Sequence, residues 1–275
     1  MVRKNAQVGS VVCAVRYPLK SAGGQTLPEV DVEVGGLRWD RAWACLDETD
    51  GSVGSAKHPR RWAGLLEVSA AVHDDEDCTL EVAGRRVIAG TPEAESVLGI
   101  HLGRGVRLTR DVPERARLHR QLPDPDGLVP EWMPDASPGQ ELVTDVLGAQ
   151  PGGRFVDLGA VHLVTTGALA RLARRLGRSV VQPARFRPNL VLDLPQDPSP
   201  GQELRIRDVV LRTVLPTPRC VVPGLSHGGT LDVALLRGLA REYRIAVLEH
   251  GAAACFGAYA EVVQPGRIRV GDAVR

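Results

Sequence analysis

The chain has 275 residues and a formal net charge of +1, with 34 lysines and arginines against 33 aspartates and glutamates. That length fits one large or two small domains and buries a core without disulfide staples. The near-neutral balance, without runs of like charge, gives no footing for nucleic acid, and no stretch approaches the roughly 18 apolar residues of a membrane helix.

Residues 8–15 are rich in valine and read as a strand, ended by Tyr17-Pro18-Leu19-Lys20-Ser21 and a Gly23-Gly24 turn. Residues 30–34 alternate Val-Asp-Val-Glu-Val, the pattern of a half-buried strand, and Gly35-Gly36 breaks it. Another strand is expected over 37–46, then short strands at 65–72, 79–82 and 86–88, with Gly84 at a hairpin. Thr91 as N-cap, Pro92 at the first position and Gly103 at the end define a helix over 92–102. Residues 110–153 are rich in Pro, Asp and Gly and lack periodicity, so they are expected to connect two halves and pack over a site.

The second half opens with a strand at 162–164. A helix over 167–176 follows, capped by Thr165 or Thr166 and stopped by Gly177. Its Leu169, Leu172, Ala173 and Leu176 share one face, and Arg171, Arg174 and Arg175 lie mostly on the other, read as a solvated face. Strands are expected at 190–194, 204–206 and 209–214, an amphipathic helix at 231–243, and closing strands at 258–263 and 268–274. The fold class is mostly β with a few helices (α+β), a sandwich or barrel in each half. The boundaries are 1–109, a connecting segment 110–154, and 155–275.

Five cysteines, Cys13, Cys45, Cys78, Cys220 and Cys255, are scattered without any C-x-x-C. They read as neither a disulfide framework nor a zinc or iron–sulfur site, and they point to a reducing, cytoplasmic compartment. Residues 1–10 lack an apolar run behind Arg3 and Lys4, so no signal peptide is expected. Cys13 and Cys45 sit in strand patterns and read as core. A zinc site drawn from Cys220, His227, His250 and Cys255 fits no usual ligand spacing. Trp39, Trp43 and Trp62 are expected to pack the first half.

Cys220 stands apart. Pro216 and Pro218 fix the chain ahead of it, Arg219 adjoins it, and a glycine-rich loop, 223–229, follows. A thiol beside a permanent cation is favoured as thiolate, the form that attacks and binds metals. The alternative is a small buried hydrophobe in a strand. Three other stretches combine charge with restricted backbone, namely residues 17–21, 36–41 and 185–189. Together the four supply a soft sulfur, several phosphate-binding cations and an amide. That set suits a phosphorylated, metal-bearing cofactor, and it contains neither a P-loop nor G-x-G-x-x-G.

In this order the stretches Y-P-x-K-S, G-L-x-x-D-R, S-A-K-x-P, F-R-P-N, P-R-C, F-G-x-Y-x-E-V and G-x-I-x-V-G-D make the chain resemble the MOSC-domain proteins. That is the molybdenum cofactor sulfurase C-terminal family, here preceded by its N-terminal MOSC β-barrel domain. The chain is also similar to the mitochondrial amidoxime-reducing proteins and their bacterial relatives. The resemblance implies an N-terminal β-barrel domain over 1–109, a MOSC domain over 155–275, and a molybdenum cofactor (molybdopterin) between them. It implies Cys220 as molybdenum ligand and catalytic centre. Lys20, Ser21, Arg41, Arg187 and Asn189 match positions that bind the pterin or its phosphate, and Arg185 supports them. Asp40 is expected to orient Arg41 through an ion pair.

The implied activity is an oxidoreductase reducing N-hydroxylated or N-oxygenated small molecules, without nucleic acid or membrane as partner. With no cysteine cluster for an iron–sulfur centre, its electrons come from a separate donor protein. The alternatives are sulfur transfer through a Cys220 persulfide, and carriage of the cofactor. One departure bears on this choice. Relatives commonly carry two threonines shortly after the cysteine, and here Pro223-Gly224 stand there.

Overall fold

The computed structural model describes residues 9–73, 77–123, 128–225, 231–247, 249 and 251–275. Its architecture is mostly β. A nine-stranded sheet runs in the order Val161–Thr165, Leu190–Leu192, Gly9–Arg16, Ala273–Val274, Glu203–Ile206, Val209–Pro218, Ala252–Gln264 and Arg244–Ala246, with Gln25–Leu27 paired to Gly9–Arg16. Val161–Thr165 also pairs with Ala252–Gln264, with Val161 opposite Ala260, and this closes the sheet into a barrel. The pairing of Val161–Thr165 with Leu190–Leu192 is parallel, bridged by helix Thr166–Arg175, and every other strand pair is antiparallel.

The strand Gly9–Arg16 belongs to this barrel, although its position in the chain assigns it to the first half. Glu29–Glu33 likewise pairs with Gly266–Arg269. Val11, Ala14, Val30, Val32 and Leu37 therefore pack in one core with Leu163, Leu190, Leu211 and Ile268. The remainder of the first half has its own core. Sheet Ser69–His73, Asp77–Val82, Arg85–Ile88, the pair Ala44–Asp47 with Val106–Thr109, and helix Pro92–Leu102 enclose Trp62, Leu65, Leu80 and Leu98. Trp39 and Trp43 pack against the rim of that core.

Several boundaries differ from expectation. The strand expected over 37–46 is interrupted, because Trp39 and Arg41 hold left-handed backbone, φ 67° and 47°. A strand there would carry both arginine and aspartate along the sheet; the turn instead presents Arg41 inward. The strand expected from 65 begins at Ser69, after a 3-10 turn over Ala63–Glu67. The segment 268–274 divides into Gly266–Arg269 and Ala273–Val274. The connecting segment contains a hairpin, Arg117–Gln121 with Glu141–Asp145. Helix Pro92–Leu102 runs as expected, with Thr91 Oγ1 accepting from Ala94 N and Gly103 left-handed at its end. Thr165 caps helix Thr166–Arg175, and Asp232 caps helix Val233–Glu242. Among the described residues no helix is long and apolar enough to cross a membrane.

Candidate functional site

A cavity of about 250 Å³ opens where the barrel, the turn after Leu37 and the connecting hairpin meet. Lys20, Ser21, Arg41, Arg187, Asn189 and Cys220 all line it. Local backbone explains how three of them arrive. Ser21, Arg41 and Arg187 each hold left-handed φ, at 66°, 47° and 55°. Such strain on residues with side chains collects at functional sites.

Asn189 is the hub. Its Oδ1 accepts from Arg41 Nη1 at 3.1 Å and from His162 N at 3.0 Å, and its Nδ2 donates to Val15 O at 3.2 Å. Asp40 pairs with Arg41 and also accepts from Tyr17 N at 2.8 Å. The Arg41 and Arg187 guanidinium groups lie 4.7 and 4.3 Å from the Tyr17 ring centroid. Arg187 Nη1 donates to Ala22 O at 2.6 Å, while its buried Nη2 has no partner among the described residues. Burial pulls Arg187 down to about 10, so it stays charged at neutral pH.

Lys20 donates to Phe155 O at 2.8 Å and to Asp157 Oδ1 at 2.6 Å. Lys57 Nζ reaches the same carboxylate oxygen at 3.0 Å. Burial pulls Lys20 down to about 8, with Asp157 opposing. Asp157 is half-buried, which alone would raise it, yet the two ammoniums hold it well below the usual carboxylate range. Ser21 faces the same corner and its Oγ accepts from Ala56 N at 3.1 Å.

Cys220 is half-buried and follows the last barrel residue of Val209–Pro218, so it sits at the barrel mouth. Arg219 N donates to Ala254 O at 2.7 Å, and Arg219 Nη2 to Phe186 O at 3.0 Å. Arg219 Nη1 stands 3.4 Å from His162 Nε2. His162 is held well below its ordinary value by burial and then by the Arg219 charge. It is neutral, with Nδ1 facing Arg187 O at 3.4 Å and Nε2 left as acceptor. Tyr259 lies at 5.4 Å from the His162 ring and lines the cavity; burial raises its phenol, which stays protonated.

Arg185 is not among the lining residues. Its Nη1 donates to Pro223 O at 3.1 Å and its Nη2 lies 3.5 Å from Asp232 Oδ2. The 3-10 turn Pro183–Phe186 points it toward the cap of helix Val233–Glu242, away from the cavity. His227 and His250 of the rejected zinc arrangement lie outside the described residues. Among the described residues no three His, Cys, Asp or Glu side chains are grouped to hold a metal ion.

Other lining residues were not assigned from sequence. Lys57 was in view within S-A-K-x-P without a role, and Tyr259 within F-G-x-Y-x-E-V. Asp157, Arg120 and Trp132 carried no signal, because the segment before the second barrel has no periodicity to mark an inward position.

Two family models match the chain, the MOSC N-terminal beta barrel domain over residues 8–97 and the MOSC domain over residues 153–275. Among curated proteins none matches. Solved structures similar to it include the YuaD protein from Bacillus subtilis, at 12% identity and TM-score 0.45 over 98% of this chain and 94% of that one. YiiM from Geobacillus stearothermophilus is 16% identical, with TM-score 0.34 over 48% of this chain and 65% of that one. At these scores the two bear on neither the site nor the activity. The paired matches, covering both the first strands and the barrel that carries Cys220, show that the chain belongs to the MOSC-domain family, with the N-terminal MOSC β-barrel domain ahead of the MOSC domain.

Proposed function

We propose that this protein holds a molybdenum-bearing pterin cofactor in the cleft, with Cys220 toward the metal, and reduces N-hydroxylated or other N-oxygenated small molecules. The observation that carries the reading is convergence. One soft sulfur, Cys220, shares a cavity with Lys20, Arg41, Arg187 and Asn189, and the five come from four separate segments. Thiolate sulfur is a chemically apt ligand for such a metal, and Nη2 of Arg187 is a buried donor with no acceptor among the described residues. The cofactor, when bound, supplies the two-electron oxygen-transfer chemistry. The chain's own residues bind and orient. Arg41 and Arg187 offer charge-assisted donors to phosphate or the pterin edge. Neutral His162 keeps Arg219 in place behind Cys220. Tyr259, protonated at any working pH, offers a hydroxyl donor to an oxygen-bearing substrate. Electrons come from a separate donor protein.

A second reading, sulfur transfer through a Cys220 persulfide, is favoured by one observation. Gly224 packs so tightly that a Cβ there would lie 2.8 Å from Leu236 Cδ1, so the hydroxyl-bearing residues common in relatives do not fit. Carriage of the cofactor is the third. The test is the molybdenum and pterin content of protein from a cofactor-competent host, with a reduction assay on an amidoxime. Both metal and turnover support the reductase; metal without turnover supports carriage; no metal, with sulfur taken up on Cys220, supports transfer.

A further inference from the structure

The cations assigned to the cleft from sequence each hold at least one protein partner already, although Arg187 Nη2 has none among the described residues. Lys20 holds Phe155 O and Asp157, Arg41 holds Asp40 and Asn189, and Arg187 holds Ala22 O. Arg120 lines the same cavity and differs from them. Among the described residues its guanidinium has neither a hydrogen-bond acceptor nor a carboxylate partner, and its Nε is buried.

The hairpin explains how it is held there. Arg117–Gln121 pairs with Glu141–Asp145, with Arg120 opposite Leu142. Side chains alternate along a strand, so Arg120 shares its face with Leu118 and Leu122, which are 1% and 4% exposed. A position between two core leucines ordinarily takes another hydrophobe, and a cation without a counter-charge is costly there. Two nearby carboxylates, Asp50 and Glu141, are otherwise occupied. His119, on the opposite face, binds Asp50 at 2.7 Å and Glu141 at 3.1 Å. Asp145 also lines the cavity, and among the described residues no ion pair joins it to Arg120.

Gln121 N donates to Lys57 O at 2.8 Å, which fixes Arg120 beside Lys57. Lys57 and Lys20 share the carboxylate of Asp157, and with Arg120 set against Asp145 the corner keeps a positive excess. A phosphate monoester near neutral pH carries close to two negative charges. Arginine's planar fork suits it.

We propose that Arg120, with Lys57, is the anion-binding wall of the cleft and takes a phosphate monoester, either that of the cofactor or one carried by the substrate. Only the cofactor source rests on the proposed function. Arg120 lies in the segment that neither family model covers.

The experiment uses the full chain with Arg120→Met and Arg120→Gln. Cofactor-free protein is titrated with inorganic phosphate at low ionic strength. Loss of the arginine is expected to weaken phosphate binding roughly tenfold to a hundredfold. Methionine fills the same space between the leucines, so Arg120→Met should melt no lower than wild type without phosphate. Phosphate should raise the melting temperature of wild type and not of the variant. Should Arg120→Met melt lower, Arg120→Gln is read in its place. Pterin content after expression in a competent host then separates the sources. Lost pterin points to the cofactor's phosphate; retained pterin with lost phosphate binding points to the substrate's. Equal phosphate binding by wild type and variant, or none by wild type, overturns the proposal. If wild type carries no pterin, the proposed function fails while the phosphate titration still decides the role of Arg120.

Discussion

Arg41 Nη1 donates to Asn189 Oδ1 at 3.1 Å across 148 residues of chain. Arg41 lies in a turn of the first half and Asn189 at the barrel mouth. The same oxygen accepts from His162 N, so one amide aligns the cation, the histidine strand and, through Val15 O, the first strand. Asn189 is 1% exposed, so its own amide has these partners and little water to turn to. Asn189→Ala should cost about 1–3 kcal/mol for each donor left unpaired. Urea denaturation reads that loss, and a variant as stable as wild type would refute the hub role.

Cys220→Ser exchanges a soft ligand for a harder, far less acidic one. On the proposed function, reduction of N-hydroxylated substrates should fall to background, with the melting temperature unchanged and much of the pterin retained, because the cations proposed to hold its phosphate lie elsewhere. Molybdenum, pterin and rate measured side by side decide it. Undiminished turnover would remove Cys220 from the chemistry.

Arg185 and Arg187 are two residues apart and point in different directions. Arg187→Ala should lower pterin content, since its guanidinium lines the cavity. Arg185→Ala should leave pterin content unchanged and cost no more than about 1 kcal/mol of stability, because its ion pair with Asp232 is partly solvated. Parallel loss of pterin in both variants would contradict this division.

The pH dependence has a worked sign. Burial pulls Lys20 down to about 8, so its charge is present below that pH and is lost as pH rises through it. Anion affinity of the cleft should fall across that value. Sulfate, whose charge is fixed in this range, is the probe, and Lys20→Met should abolish the dependence. For stability, the folded chain releases this proton before the unfolded one, so the Lys20 contribution rises between about 8 and 10.5. Asp157 acts at the other end. Burial alone would raise it, but Lys20 and Lys57 hold it well below the ordinary 3.8. Its contribution is full above that value and is lost as pH falls through the depressed one. An acid limb unchanged in Asp157→Asn would contradict the assignment.

Gly257 has φ +81°, and a Cβ there would sit 2.6 Å from both His162 Nε2 and Leu163 O. Gly257→Ala should cost roughly 1–3 kcal/mol through backbone strain, and more from the contact with Leu163 O, which is backbone and cannot turn aside. Thermal unfolding measures it, and an unchanged midpoint would show that neither the positive φ nor the contact with Leu163 O is costly there.

Helix Pro92–Leu102 was legible because its signals are local. Thr91, Pro92 and Gly103 each act within one turn of the backbone they cap. The short boxes around Lys20, Arg41, Arg187 and Cys220 were legible for a similar reason, since prolines, charge and a lone thiol are read residue by residue. Tertiary structure alone decided that Gly9–Arg16 joins the second-half barrel. Its partners, Leu190–Leu192 and Ala273–Val274, are chosen by long-range hydrogen bonding and a shared core. It also decided which way neighbouring side chains point. Left-handed backbone at Arg41 and Arg187 turns them inward, the turn before Arg187 sends Arg185 outward, and a hairpin in an aperiodic stretch sets Arg120 between two leucines. Sequence determined the chemical groups, because those are properties of single residues. Packing determined which of them share a cavity and which remain unpaired, because that depends on partners far away along the chain.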